Sequence, residues 1–235
     1  MTTRNTLIST VGTSLFYPNL ANLPDAAGYE TWLAKQPARE REHLTCERVS
    51  ALAMAYRERD PATIARALVA LPPTTRLCGA EINSIADLMA HDYCEPGSTL
   101  YFCSSQTGDG QLVAQILGHY YGLRGVAVRI ETIPDLQDED PKRFRTKGLR
   151  NLAKTVCRII RGHGAPWCAI NATGGYKAQI AIGVLMGQAL SVPVYYKHER
   201  FSEIIAFPPM PISLDHQLWM EHSRSRAFIA TAPGR

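Results

Sequence analysis

The chain has 235 residues, 46% of them hydrophobic and 20% charged, and carries a formal net charge of +4. That length supports one well-buried core, leaves too little chain for two comfortable domains, and the composition excludes a disordered polypeptide. The mild positive charge suits a small anionic ligand and speaks against duplex DNA as a partner.

Residues 1–14 hold no long apolar run behind a basic start, so no signal peptide is expected. The first predicted strand spans residues 6–11, a short β-branched run ended by Gly12. Helical stretches follow at 29–56, broken by Pro37, at about 61–71, and at about 79–91, where Ile82, Ile85, Leu88 and Met89 recur at helical spacing. From there strands at 99–103, 126–133, 167–171 and 192–197 alternate with helices at 111–121, 142–161 and 176–190. The second of these helices is entered by Pro141 and closed by Gly162. Strands separated by helices of this length predict right-handed crossovers and a parallel sheet. A polar tetrad at 198–201 then leads into residues 203–207, which predicts an antiparallel hairpin at the sheet edge. The expected fold is α/β and Rossmann-like, a mostly parallel sheet flanked by helices.

Pro208, Pro209 and Pro211 end the pattern. They divide the chain into a domain over 1–207 and an arm or linker over 208–235, whose segment around 214–226 would pack on the core, meet a dimer partner or lead to a further domain. The most apolar stretch, 180–196, is broken by Gln188 and Pro193, whereas a membrane span needs about 20 apolar residues in a row. The six cysteines form no C-x-x-C pair, which predicts reduced thiols in a cytoplasmic protein. No H-E-x-x-H and no Cys/His cluster at ligand spacing occurs, so no metal and no cofactor is expected.

In an open parallel sheet ligands bind outside the carboxyl ends of the strands, and three of the loops found there share a composition. After the first strand comes Val11-Gly12-Thr13-Ser14, where Gly12 allows a tight turn and Thr13 and Ser14 offer hydroxyls; the same residues would serve as a helix N-cap. After the second comes Ser104-Ser105-Gln106-Thr107-Gly108-Asp109-Gly110, small polar residues able to approach a sugar or base, or a simple turn capped by Thr107 or Asp109. The third is Asn171-Ala172-Thr173-Gly174-Gly175-Tyr176-Lys177, before a helix. Adjacent glycines there expose N–H groups to an anion, Thr173 adds a hydroxyl, and Lys177, one turn into the helix, reaches back towards a phosphate. The plainer reading is a glycine turn with a surface lysine. Neither the P-loop nor the G-x-G-x-x-G spacing is present.

The helix at 142–161 carries Arg143, Lys147, Arg150, Lys154, Arg158 and Arg161 in steps of three or four, opposite Leu149, Leu152, Val156 and Ile159. This is either a funnel for a polyanion or the solvated face of an amphipathic helix. Glu81 is read as a buried or interfacial carboxylate, or as a helix cap or surface residue; Cys103, inside an apolar strand, reads as inert.

T-V-G-T-S-L after the first strand, A-E-I-N-S-I in an early helix and N-A-T-G-G-Y-K before a late one together resemble the CARF family, the CRISPR-associated Rossmann-like sensors of type III immunity. The resemblance runs from about residue 6 to residue 207. It implies a homodimer that binds cyclic tetra- or hexa-adenylate across its two-fold axis. Some members sense and signal to a fused or associated effector; others, the ring nucleases, cleave the ligand. Under that resemblance Gly12, Thr13, Ser105, Gln106, Thr107, Asn171, Thr173, Gly174 and Gly175 contact the ligand. Ser14 positions the attacking ribose 2′-hydroxyl and Lys177 stabilises the transition state. None of the three loops contains histidine, so turnover would be slow. Two alternatives stand beside this reading: a non-catalytic sensor module, and a Rossmann-like enzyme acting on a mononucleotide.

Overall fold

Five consecutive residues of β1 (Thr6–Thr10) are all buried, the burial expected of a central strand in a parallel sheet covered on both faces. The computed structural model describes residues 4–198, 201 and 203–210. Beside β1 lie β2 (Thr99–Ser104) on one flank and β4 (Cys168–Asn171) on the other, both parallel to it. β3 (Val128–Thr132), β5 (Val194–Tyr196) and β6 (Ile205–Ala206) complete a sheet of order β3-β2-β1-β4-β5-β6. All pairs are parallel except β5–β6, where Tyr195 faces Ala206 and Tyr196 faces Ile205, the antiparallel hairpin expected at the edge. The order reverses between β1 and β4, which makes that junction the switch point of the sheet.

The connection from β1 to β2 carries five helices: α1 (Tyr29–Ala34), α2 (Ala38–Arg41), α3 (Cys46–Glu58), α4 (Pro61–Val69) and α5 (Gly79–Ala90). The stretch read as one helix broken at Pro37 is thus three short ones. Thr45 caps α3 by accepting from the Arg48 N–H (3.4 Å), and Asp60 caps α4 by accepting from the N–H groups of Ala62 and Thr63, with Pro61 in the first turn. α6 (Gly108–Gly122) links β2 to β3, and α9 (Lys177–Ala189) links β4 to β5.

Between β3 and β4 the helix read as continuous has three parts: α7 (Pro141–Arg143), a π-wound turn (Phe144–Gly148) and α8 (Leu149–His163). Gly148 lies against the backbone of Asp135, where a Cβ would come within 2.4 Å of the carbonyl oxygen. Gly162 does not close α8 as the sequence suggested. Termination falls to Gly164, at φ 90°, a conformation costly for any side-chain-bearing residue.

Alternating strand residues feed two cores. Leu7, Leu100, Phe102 and Ala169 pack with Leu52, Ile64, Leu68, Ile82, Ile85 and Ile116 from α3 to α6. Ile8, Tyr101, Cys103 and Ile170 pack with Leu152, Val156 and Ile159 of α8. No helix among the described residues is long and apolar enough to cross a membrane. The segment around 214–226 lies outside the described residues.

Candidate functional site

Because β2, β1 and β4 are neighbours, the three small-residue loops at their carboxyl ends emerge side by side. The β1 and β4 loops meet backbone to backbone. A Cβ on Gly12 would fall 2.5 Å from the Gly175 nitrogen, and one on Gly174 would fall 2.8 Å from the Thr10 carbonyl oxygen. The Thr10 hydroxyl donates to the Gly174 carbonyl across the same seam. The glycines therefore first serve contact between two loops; Gly175 also sits at φ 98°.

A carboxylate closes the seam from below. Glu81, in the first turn of α5 and 1% exposed, accepts the Gly12 N–H on Oε1 (2.7 Å) and the Ser14 hydroxyl on Oε2 (3.1 Å). Ser14 Oγ in turn accepts the Ala80 N–H at 3.1 Å. A Cβ on Gly174 would lie 2.0 Å from Glu81 Oε1, so no larger residue fits there with the carboxylate in place. Burial pushes the Glu81 carboxyl above its ordinary pKa of 4.5, while the bonds from Gly12 and Ser14 pull it back. Of the residues the sequence reading left outside the site, Glu81 is the most central. The signal was present: Glu81, Ile85 and Leu88 share one face of α5, spaced i, i+4 and i+7, and that face is buried.

The β2 loop is tied in from the other side. Ser105 Oγ and Thr107 Oγ1 are 2.8 Å apart, and Thr107 caps α6 by accepting the Gly110 N–H at 3.2 Å. Gln106 is exposed and its Oε1 accepts the Asp135 N–H at 2.9 Å. Asp109 joins this loop to the β1 loop, accepting from Tyr17 (3.1 Å) and pairing with Arg59 (2.6 Å). The hydrogen bond to Asp109 raises the Tyr17 phenol above its ordinary range.

Behind the β4 loop, Asn171 is fully buried. Its amide donates to Ser84 Oγ on α5 (2.8 Å), and its carbonyl oxygen accepts from the Thr173 hydroxyl (2.6 Å). Thr173 also accepts the Lys197 N–H at 3.0 Å, and the Lys197 ammonium pairs with Asp87 on α5. Asn171 thus orients Thr173 from within the core. Tyr176 caps α9 in extended conformation and its N–H donates to Gln179 Oε1 (2.7 Å), whose Nε2 is buried without a partner among the described residues. Lys177 is exposed and is the first residue of α9, not one turn inside it as expected, because Tyr176 rather than an earlier residue occupies the cap.

These loops surround a cleft of about 90 Å³ lined by Val11, Gly12, Thr13, Ser105, Gly175 and Tyr176. Of the residues named from sequence, Gly12, Thr13, Ser105 and Gly175 form its wall. Ser14 is half-buried beside that wall, Gly174, Asn171 and Thr173 brace the seam behind it, and Gln106, Thr107 and Lys177 stand around it. Tyr176 is half-buried and packs edge-on against Phe144 of the π-wound turn (5.6 Å between centroids). Burial, with a hydrogen bond to Asp138, pushes its phenol up to about 12.

All six basic residues of the stripe are exposed. Arg158 pairs with Glu131 at 2.8 Å and Arg143 with Asp135 at 2.7 Å. Among the described residues no group of three or more His, Cys, Asp or Glu side chains converges. Burial pushes the Cys78 and Cys103 thiols up to about 12.

A family model described as "CRISPR-associated protein (Cas_APE2256)" matches residues 76–210, more than half of the chain, and no curated protein matches it.

Proposed function

Because the chain belongs to the CRISPR-associated Cas_APE2256 family, we propose that it binds a cyclic oligoadenylate, cyclic tetra-adenylate in the first instance, and cleaves it slowly. The observation that carries this reading is the meeting of three Gly/Ser/Thr loops, from adjacent strands, at the switch point of a Rossmann-like sheet, with Lys177 beginning a helix at its edge. An ammonium at a helix N-terminus favours phosphate, while the loop hydroxyls and Gln106 suit ribose and base edges.

The size of the cleft bears on assembly. At about 90 Å³ the cleft is small beside a ring of four nucleotides. A four-nucleotide ring must therefore lie over the cleft rather than inside it. A ring with two-fold symmetry and two chains meeting on a two-fold axis would present one set of loops to each half of the ligand. The homodimer is part of the proposal.

In cleavage, a ribose 2′-oxygen attacks the adjacent phosphorus. The 2′-oxygen–phosphorus bond forms, the phosphorus–5′-oxygen bond breaks, the 2′-hydroxyl proton is released and the departing 5′-oxygen takes one up. Two such events turn the tetramer into two linear di-adenylates with 2′,3′-cyclic phosphate ends. Ser14 orients the 2′-hydroxyl and Lys177 offsets charge on the phosphoryl oxygens.

The test is incubation of purified protein with cyclic tetra-adenylate in chelator, with chromatography of the products beside Lys177→Ala. Linear di-adenylate from the wild type and little from the variant supports the reading. Intact ligand that co-elutes with the protein restricts the function to sensing. Tight binding of AMP or ATP without preference for the ring overturns it in favour of a mononucleotide enzyme.

A further inference from the structure

We propose that Glu81 is a positioning residue whose proton sets the direction of the Ser14 hydrogen bond, and so whether Ser14 offers the ligand an acceptor or a donor. This rests on the reading that Ser14 meets the ribose 2′-hydroxyl.

The hydroxyl of Ser14 has one proton and two lone pairs. One lone pair is used by the Ala80 N–H at 3.1 Å. When Glu81 is ionised, the Ser14 proton goes to Glu81 Oε2 at 3.1 Å, while Oε1 is held by the Gly12 N–H at 2.7 Å. The second lone pair of Ser14 then remains to accept the 2′-hydroxyl proton, which turns the 2′-oxygen lone pairs towards phosphorus. When Glu81 is protonated, Oε1 still serves Gly12, Oε2–H donates to Ser14, and both lone pairs of Ser14 are occupied. The Ser14 proton must then point away, to the ligand, and binds the 2′-oxygen through the lone pair the reaction needs.

The surroundings make a change of protonation reachable. Glu81 is 1% exposed, and no cation among the described residues contributes to its shift. From the β1 loop it meets Gly12 and Ser14, from the β4 loop Gly174, and from α6 the nearest titratable group is the Tyr121 phenol, neutral because burial drives its pKa far up. Asp87, farther along α5, is neutralised by Lys197. Burial dominates the balance and moves the carboxyl upward.

Glu81→Gln separates the roles. With its carbonyl oxygen on the Gly12 N–H, its amide donates to Ser14, copying the protonated acid at every pH. The experiment measures cyclic tetra-adenylate affinity and single-turnover cleavage from pH 5 to pH 9 for the wild type, Glu81→Gln and Ser14→Ala. The expected wild-type cleavage rises through the acidic range to a plateau. Glu81→Gln stays flat across the same range, about three- to tenfold below the plateau, the loss of one neutral hydrogen bond's orientation. Ser14→Ala, which leaves the Gly12 bond intact, is flat as well and covers the case in which Glu81→Gln does not fold. If the wild type binds without cleaving, the affinity profile is read the same way. A Glu81→Gln or Ser14→Ala profile that parallels the wild type overturns the inference and leaves the proposed function standing. No binding and no cleavage by the wild type at any pH overturns the proposed function, and this inference with it.

Discussion

Replacing Gly174 with alanine tests whether the site is built as a packed seam. The added methyl would lie 2.0 Å from Glu81 Oε1, 2.8 Å from Glu81 Cδ and 2.8 Å from the Thr10 carbonyl oxygen. The last of these is backbone in a central strand and cannot yield, so Glu81 must. Moving it weakens the bond to the Gly12 N–H and the bond from Ser14, each worth about 1 kcal/mol, or more where a charged group is involved. Overpacking adds about 1–3 kcal/mol. The expected loss is about 3–5 kcal/mol, a fall in Tm of about 6–20 °C for a chain of this size. Equilibrium urea unfolding measures it, with Gly97→Ala as control, since a Cβ there meets nothing within 4 Å. In a Glu81→Ala background Gly174→Ala should cost less, because the nearest clash has gone and only the Thr10 contact remains. A loss below about 0.5 kcal/mol, or an equal loss with and without the Glu81 carboxyl, would refute the packed seam.

The raised Glu81 pKa gives a stability trend of definite sign. A group held above its unfolded value contributes stability below that value and loses it as pH rises through the folded one. Wild-type stability should therefore fall relative to Glu81→Gln from about pH 4.5 upward, the ordinary carboxyl value, in paired denaturation curves; a constant difference would count against burial of the acid. Cys46 is exposed, whereas Cys78 and Cys103 sit near 12. A thiol reagent at pH 8 should label Cys46 at once and leave the other two until the chain unfolds, read by peptide mass mapping. Glu131→Ala removes the half-buried partner of the exposed Arg158 and should change stability by under about 1 kcal/mol by denaturation.

The fold was legible because its central strands, β1, β2 and β4, are short, buried and mostly apolar, and are separated by helices with caps such as Thr107 and Asp60. Element ends were less so. Pro37 marks one break in the first helical region, yet the chain also turns before Thr45, and Gly162 looks like a helix end in sequence although Gly164 takes the positive φ. The loops that form the cleft were visible as clusters of small residues. Their internal partners were not, because those come from far away in sequence: Glu81 from α5, Ser84 behind Asn171, and the Lys197 N–H on Thr173. Composition shows that a residue can hydrogen-bond; only the fold shows that Asn171 spends its amide on the core.

The position of β1 carries a consequence for how the chain is made. It leaves the ribosome before both of its neighbours, β2 and β4, which begin at Thr99 and Cys168. An apolar strand with both edges open must wait while the intervening chain is made, longest on the side of β4, while helices α3 to α5 can shelter one of its faces. The cleft therefore lacks one wall until the Gly174–Gly175 turn has emerged and docked. The cleft is completed in one step by that turn, not built up gradually.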